Sequence, residues 1–176
     1  MNAELRKQMA GISDEQTQFF AAAREDPEND RCFECGERHP TWCSLNNGIY
    51  LCLACAGKHR GYGVHISFVR STTLDRFSPL QLAMMRRGGN RRARAYFEAH
   101  PFDNPSYCVP FDCLNADAYR RTLRREACAE VGEPYEELPP WRPTRVVDCK
   151  QPSDATYGKG TPICAPQPTC PFCFIL

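Results

Sequence analysis

Apolar positions recur with helical spacing in three parts of the chain and alternate briefly in a fourth. Over Asp14 to Arg24, Phe19, Phe20 and Ala23 fall on one side of a helix. Ser13 is placed to cap it, Gln16 occupies the capping-box position, and Pro27 lies beyond its end. Ser78-Pro79 opens a second helical stretch, with Gln81 closing a capping box and Leu80, Met84 and Met85 as its apolar positions. Gly88-Gly89 interrupts this stretch, and Asn90 is positioned to cap a further helix to about Ala99, stopped by His100-Pro101. From Asn115 to about Val131, Tyr119, Leu123 and Ala127 share one face, while Arg120, Arg121, Arg124 and Arg125 lie largely on the other. Between the first two helical stretches, Cys32 to Asp75 reads as turns and short strands. Trp42 to Leu45 and Ile49 to Leu51 flank Asn46-Asn47-Gly48 as a hairpin. The pattern predicts a helix-dominated α+β domain with a short sheet surrounded by helices.

Periodicity ends near Pro134. Residues 134–176 hold nine of the fifteen prolines and the cysteines at 149, 164, 170 and 173, so an extended, mostly disordered tail is expected after a domain spanning 1–133. The longest apolar run, Ile49 to Ala56, is eight residues, well short of the roughly 18 that would indicate a membrane span. Lys+Arg 22 against Asp+Glu 21 leaves a formal charge of +1. No whole-molecule field therefore recruits nucleic acid, and none is expected as a partner. Twelve cysteines follow a start, MNAELRKQMA, that has no apolar signal-peptide core. The thiols are accordingly expected to be reduced, metal-bound or lipid-modified.

Cys32-x2-Cys35, sixteen intervening residues, then Cys52-x2-Cys55 supplies four thiolates in two knuckles, the donor set of one structural tetrahedral zinc. Each CxxC turn aims two sulfurs at one point, and the hairpin between them brings the pairs together. The alternative is four buried or redox-active thiols. His39, His59 and His65 are near enough in sequence to substitute as ligands, whereas Cys43, Cys108, Cys113 and Cys128 lack ligand spacing and read as small core residues.

The stretch from Cys32 to His100 resembles the Arf GTPase-activating protein domain. Beyond the cysteines, the resemblance rests on Trp42, Gly48-Ile49, His59-Arg60, Gly63-Val64-His65-Ile66-Ser67, Val69-Arg70-Ser71, Leu74-Asp75 and Gly88-Gly89-Asn90, and it covers roughly residues 10–130. It implies a zinc-finger domain that is not itself a hydrolase. Such a domain stimulates GTP hydrolysis on an Arf-type small GTPase in its GTP form by supplying an arginine in trans. Arg60 stands at the position of that arginine, and Trp42 at that of a tryptophan that supports activity. The resemblance leaves Asp75 between bonding to the Arg60 region and capping the next segment. It leaves Ile66, Ser67 and Arg70 between touching the GTPase and holding the fold. A noncatalytic adaptor that binds the same GTP-loaded partner is the alternative function. Cys43, Ala56-Gly57-Lys58 and Gly61-Tyr62 depart from the family's usual residues; Lys58 and Tyr62 flank Arg60 and bear on partner choice.

Two further signals concern membranes. Arg86, Arg87, Arg91, Arg92 and Arg94 cluster around the glycine break, positioned either for anionic headgroups or as solvated faces paired with Glu98, Glu126 and Glu130. Cys173-Phe174-Ile175-Leu176 is a C-a-a-X box whose leucine favours geranylgeranylation of Cys173. One prenyl chain holds a membrane only marginally, which makes Cys170 the candidate for a second, palmitoyl anchor. The alternative for Cys149, Cys164, Cys170 and Cys173 is a second metal site. The localisation expected is cytoplasmic, peripheral on Golgi or endosomal membranes if Cys173 is prenylated.

Overall fold

The computed structural model describes residues 14–102, 109–137, 139 and 142. Ser13, Cys108 and the tail cysteines lie outside them. Helix α1 occupies 14–23. Strands β1 (Trp42–Ser44) and β2 (Ile49–Leu51) form the hairpin, followed by α2 (Leu53–Gly61) and β3 (Val69–Ser71), then α3 (Pro79–Arg87), α4 (Asn90–Ala99) and α5 (Leu114–Val131). The sheet order is β2-β1-β3, antiparallel throughout, with Trp42 opposite Leu51 on one side and Ser71 on the other.

Alternation along these short strands divides the core. Ile49 and Leu51 face a cluster containing Cys32, Cys52, Cys55, Phe97, Phe111, Tyr119 and Leu123, with Trp42 packed against it. Cys43 and Tyr50 face a second cluster formed with Phe20, Leu45, Phe77, Leu82 and Met85. Strands of three residues cannot hold a sheet by themselves, so both faces are covered by helices.

The Ser78 capping box forms as expected, with Ser78 Oγ accepting from Gln81 N and Gln81 Oε1 accepting from Ser78 N. Two other local readings are corrected by tertiary contacts, and the expected Ser13–Gln16 capping box lies outside the described residues. Gln16 makes long-range bonds: its amide donates to Asp75 O at 2.8 Å and accepts from Phe77 N at 3.0 Å, tying α1 to the segment before α3. Asn90 does not cap α4, because Gly89 holds the N-cap position. Asn90 is instead fully buried, accepting from Tyr50 N at 2.8 Å and donating to the carbonyls of Glu28 and Arg31. Arg120 turns inward, 7% exposed, with Nη1 donating to Phe111 O at 2.8 Å and Nη2 3.6 Å from Asp117.

The two glycine signals meet each other. Gly48, at φ +59°, closes the hairpin, and a Cβ there would lie 2.8 Å from Leu123 Cδ2 and 3.0 Å from Gly88 Cα. This bare contact lets Gly89 N donate to Gly48 O at 2.7 Å and seats the α3–α4 break on the hairpin turn. The surrounding arginines are paired. Arg86 and Arg87 both hold Glu130, Arg92 holds Glu126, Arg91 holds Asp26 at 2.7 Å and Arg94 holds Glu28 at 3.0 Å. Glu98 is exposed and takes no part in these pairs. The Arg92 guanidinium keeps the Glu126 carboxyl below its ordinary range. A folded-state value below the unfolded one means that this contribution is complete at neutral pH and fades on acidification. Beyond α5 the chain turns back: Arg125 lies over the Tyr135 ring, 5.3 Å to its centroid, and Arg121 bonds to Glu137 at 3.4 Å.

Replacing Asn90 by alanine leaves the buried Tyr50 N without its acceptor and takes a donor from the part-buried carbonyls of Glu28 and Arg31. Asn90→Ala is expected to lower unfolding free energy by about 3 kcal/mol in urea titration of the zinc-loaded protein.

Candidate functional site

The first knuckle is a tight turn. Cys32 N donates to Glu37 O at 2.7 Å, and Gly36, at φ +76°, donates to Cys32 O at 3.0 Å. Arg94 braces it from α4, donating to Phe33 O at 2.9 Å with its guanidinium over the Phe33 ring. The second knuckle is the N-terminus of α2, where Cys52 is the N-cap and its sulfur accepts from Cys55 N at 3.4 Å. A helix N-terminus favours the thiolate there.

All four sulfurs of Cys32, Cys35, Cys52 and Cys55 lie within 4.8 Å of one another, and those of Cys35 and Cys52 are 3.6 Å apart. A tetrahedron with Zn–S bonds of about 2.3 Å has edges of about 3.8 Å, so the donor set fits one zinc. The chemistry agrees. A hydrogen bond from Cys55 draws the Cys32 thiol down, the same bond pushes Cys55 up, and burial pushes Cys52 up. Four sulfurs this close ionise together only around a cation. His39 and His59 are engaged with Asp30 and with Ser67 and Glu34 respectively, and His65 is likewise not in the cluster.

Helix α2 was hidden in the sequence by its glycines and by the CxxC turn. Its signal is the buried spacing Cys55, Ala56 and His59, with Lys58, His59 and Arg60 gathered in the last turn, where the helix dipole favours cations. Strand β3 also escaped the reading, since three residues carry too little periodicity.

Arg60 is exposed at the end of α2, with its guanidinium over the Trp42 ring, 4.3 Å from the centroid. Trp42 is half-buried on β1, so the sheet supplies an immobile platform for an exposed cation. Ile66 and Ser67 are 2% and 1% exposed and point into the fold. Arg70 and Asp75 belong to a different neighbourhood. Register places Arg70 opposite Cys43, on the sheet face away from Trp42, where it donates to Arg76 O at 2.6 Å. Asp75 Oδ2 accepts from Ser71 N at 2.7 Å and lies 3.7 Å from Arg70 Nε.

Residues 17–125 match the ArfGap family, described as GTPase activating protein for Arf. The chain belongs to the ArfGap family. It is 40% identical over 107 residues to ADP-ribosylation factor GTPase-activating protein 3 of Bos taurus, covering 60% of this chain and 21% of that protein. With ADP-ribosylation factor GTPase-activating protein GCS1 of Saccharomyces cerevisiae it shares 48% identity over 96 residues, covering 54% of this chain and 27% of the yeast protein. This ArfGap chain therefore spans about a fifth to a quarter of the length of these two curated relatives. A crystal structure from Cryptosporidium parvum, assigned to the GTPase activating proteins for ADP ribosylation factor, superposes with a TM-score of 0.55 at 40% identity. The match covers 68% of this chain and 93% of that one.

Because the two knuckles join the hairpin to α2, chelation is expected to unfold the ArfGap domain rather than merely empty a site. Binding of roughly 10–16 kcal/mol is comparable to a whole domain's stability. Circular dichroism during titration with a zinc chelator should show loss of helix and release of one zinc per chain, and Cys55→Ser should reproduce the loss.

Proposed function

We propose that this chain stimulates GTP hydrolysis on an Arf-type small GTPase in its GTP form, with Arg60 supplied in trans as the catalytic arginine. The observation that carries the reading is the exposed Arg60 guanidinium resting on Trp42 at 4.3 Å, at the end of a helix that starts on the metal cluster. Phosphoryl transfer spreads negative charge over the γ-phosphoryl oxygens, and one guanidinium placed there accelerates a GTPase by about 10³–10⁵. A cation held on a rigid support loses little freedom on docking, and the planar fork of arginine is not replaced by the point charge of lysine. Cys32, Cys35, Cys52 and Cys55 would hold zinc with four sulfurs, the donor set of a structural site.

Membrane attachment, in the same proposal, comes from the tail. The arginines around the glycine break are largely committed to carboxylates, which leaves prenylation of Cys173, with palmitoylation of Cys170, as the anchor to Golgi or endosomal membranes. Among the described residues no helix is long and apolar enough to cross a membrane.

Single-turnover GTP hydrolysis by a panel of Arf-type GTPases tests the activity. Wild type is expected to accelerate at least one member by about 10³ or more, Arg60→Lys to lose that acceleration with zinc retained, and Trp42→Ala to lose roughly tenfold. Binding of the GTP-loaded GTPase without acceleration by wild type would replace this reading with the adaptor. Mass spectrometry of the chain from eukaryotic cells is expected to find a geranylgeranyl adduct that Cys173→Ser abolishes, and an unmodified terminus would remove the anchor.

A further inference from the structure

His59 precedes Arg60 and is completely buried, yet both ring nitrogens have partners. Nδ1 is 2.8 Å from Ser67 Oγ, and Nε2 is 3.3 Å from Glu34 Oε1. Glu34 sits between Cys32 and Cys35 in the first knuckle, and Ser67 lies in the loop that follows α2. The chain of bonds continues into the hairpin: Ser67 Oγ donates to Ser44 Oγ at 2.8 Å, and Asn47 Nδ2 donates to Ser44 Oγ and to Ile66 O, each at 2.8 Å. Asn46 completes the frame, donating to the carbonyls of Val64 and His65 and accepting from Phe68 N at 2.9 Å. The imidazole thus joins the first knuckle, α2 and the following loop at the residue next to Arg60.

An apolar ring would fill the same space, since Tyr62 and Phe111 pack against His59 with centroids 5.0 and 5.1 Å away. Burying an imidazole costs desolvation that packing alone does not require, so its hydrogen bonds determine geometry. Helix ends fray, and Arg60 stands in the last turn of a nine-residue helix with no carboxylate partner among the described residues. What sets the direction of its guanidinium is therefore the backbone that carries it and the Trp42 ring beneath it.

We propose that His59 is a positioning residue for Arg60: bonded to Glu34 and Ser67, it locks the last turn of α2 to the first zinc knuckle and to the following loop. The guanidinium is thereby held over Trp42 in the orientation it presents to a partner. This rests on the reading of Arg60 as the arginine supplied in trans. A small misplacement of such a group is costly, on the order of a hundredfold for about 1 Å.

The test uses the full, zinc-loaded chain with His59→Phe, which keeps a ring without nitrogens, and Ser67→Ala, which removes one hydroxyl. Nuclear magnetic resonance of the Arg60 side chain gives a readout independent of activity. Stacking on Trp42 shifts its Hδ and Hε resonances upfield, and both variants are expected to lose most of that shift while one zinc stays bound. In single-turnover hydrolysis, the maximal rate is expected to fall about tenfold with the half-saturating concentration within about twofold of wild type, and His59→Phe to add no loss in an Arg60→Lys background. Unchanged Arg60 resonances in zinc-bound variants overturn the proposal. So does an equal loss in the Arg60→Lys background, or a rise in half-saturating concentration at constant maximal rate. If His59→Phe does not retain zinc, Ser67→Ala decides. If wild type accelerates no GTPase, the functional reading fails and the resonances alone judge the positioning.

Discussion

Four sulfurs drawn to one point organise this molecule. Cys32 and Cys35 come from a turn, and Cys52 and Cys55 from a helix N-terminus; their sulfurs stand within 4.8 Å of one another. Thiolates at that distance repel one another until a dication supplies the countercharge, so the metal turns a repulsive cluster into the strongest tether in the domain. The hairpin is closed between the two pairs, and α2 starts on the second, which makes sheet and helix consequences of one coordination site.

Helix α2 connects that site to Arg60. A nine-residue helix is too short to be stable alone, but this one is fixed at its start by the knuckle and along one face by Cys55, Ala56 and His59. Its last turn collects Lys58, His59 and Arg60 at the negative end of the dipole. The ring of Trp42, held by the central strand, receives the guanidinium there. Among the described residues no carboxylate pairs with this exposed cation.

Short elements need another source of backbone satisfaction, and buried amides provide it. Asn90 serves Tyr50, Glu28 and Arg31; Asn46 and Asn47 hold the 64–68 loop; Gln16 joins 75 to 77. Each replaces hydrogen bonds that a longer sheet would have made within itself. The same economy explains why the arginines beside the glycine break face carboxylates: the pairs with Glu126 and Glu130 close helix on helix, and those with Asp26 and Glu28 tie α4 to the turns after α1.

Features set by local chemistry were legible in the sequence. Ligand spacing marked Cys32, Cys35, Cys52 and Cys55, turn chemistry marked the hairpin at Gly48, Ser78 and Gln81 marked the start of α3, and 3.6-residue spacing marked α5. Motif order brought out Arg60 and Trp42 as separate positions. Only the tertiary structure decided which polar side chains abandon their local roles. Asn90 looks like a cap and is a long-range strut, and Gln16 also reaches across the fold; Arg120 looks solvated and is buried; α2 looks like turns because its glycines conceal a helix that starts on the metal cluster. The physical reason is common to all of them. A cap or a period needs neighbours within four residues, which the sequence states directly. The partners of Gln16 and Asn90 lie 40 to 62 residues away, and the stack of Arg60 on Trp42 exists only after four sulfurs have closed the chain between them.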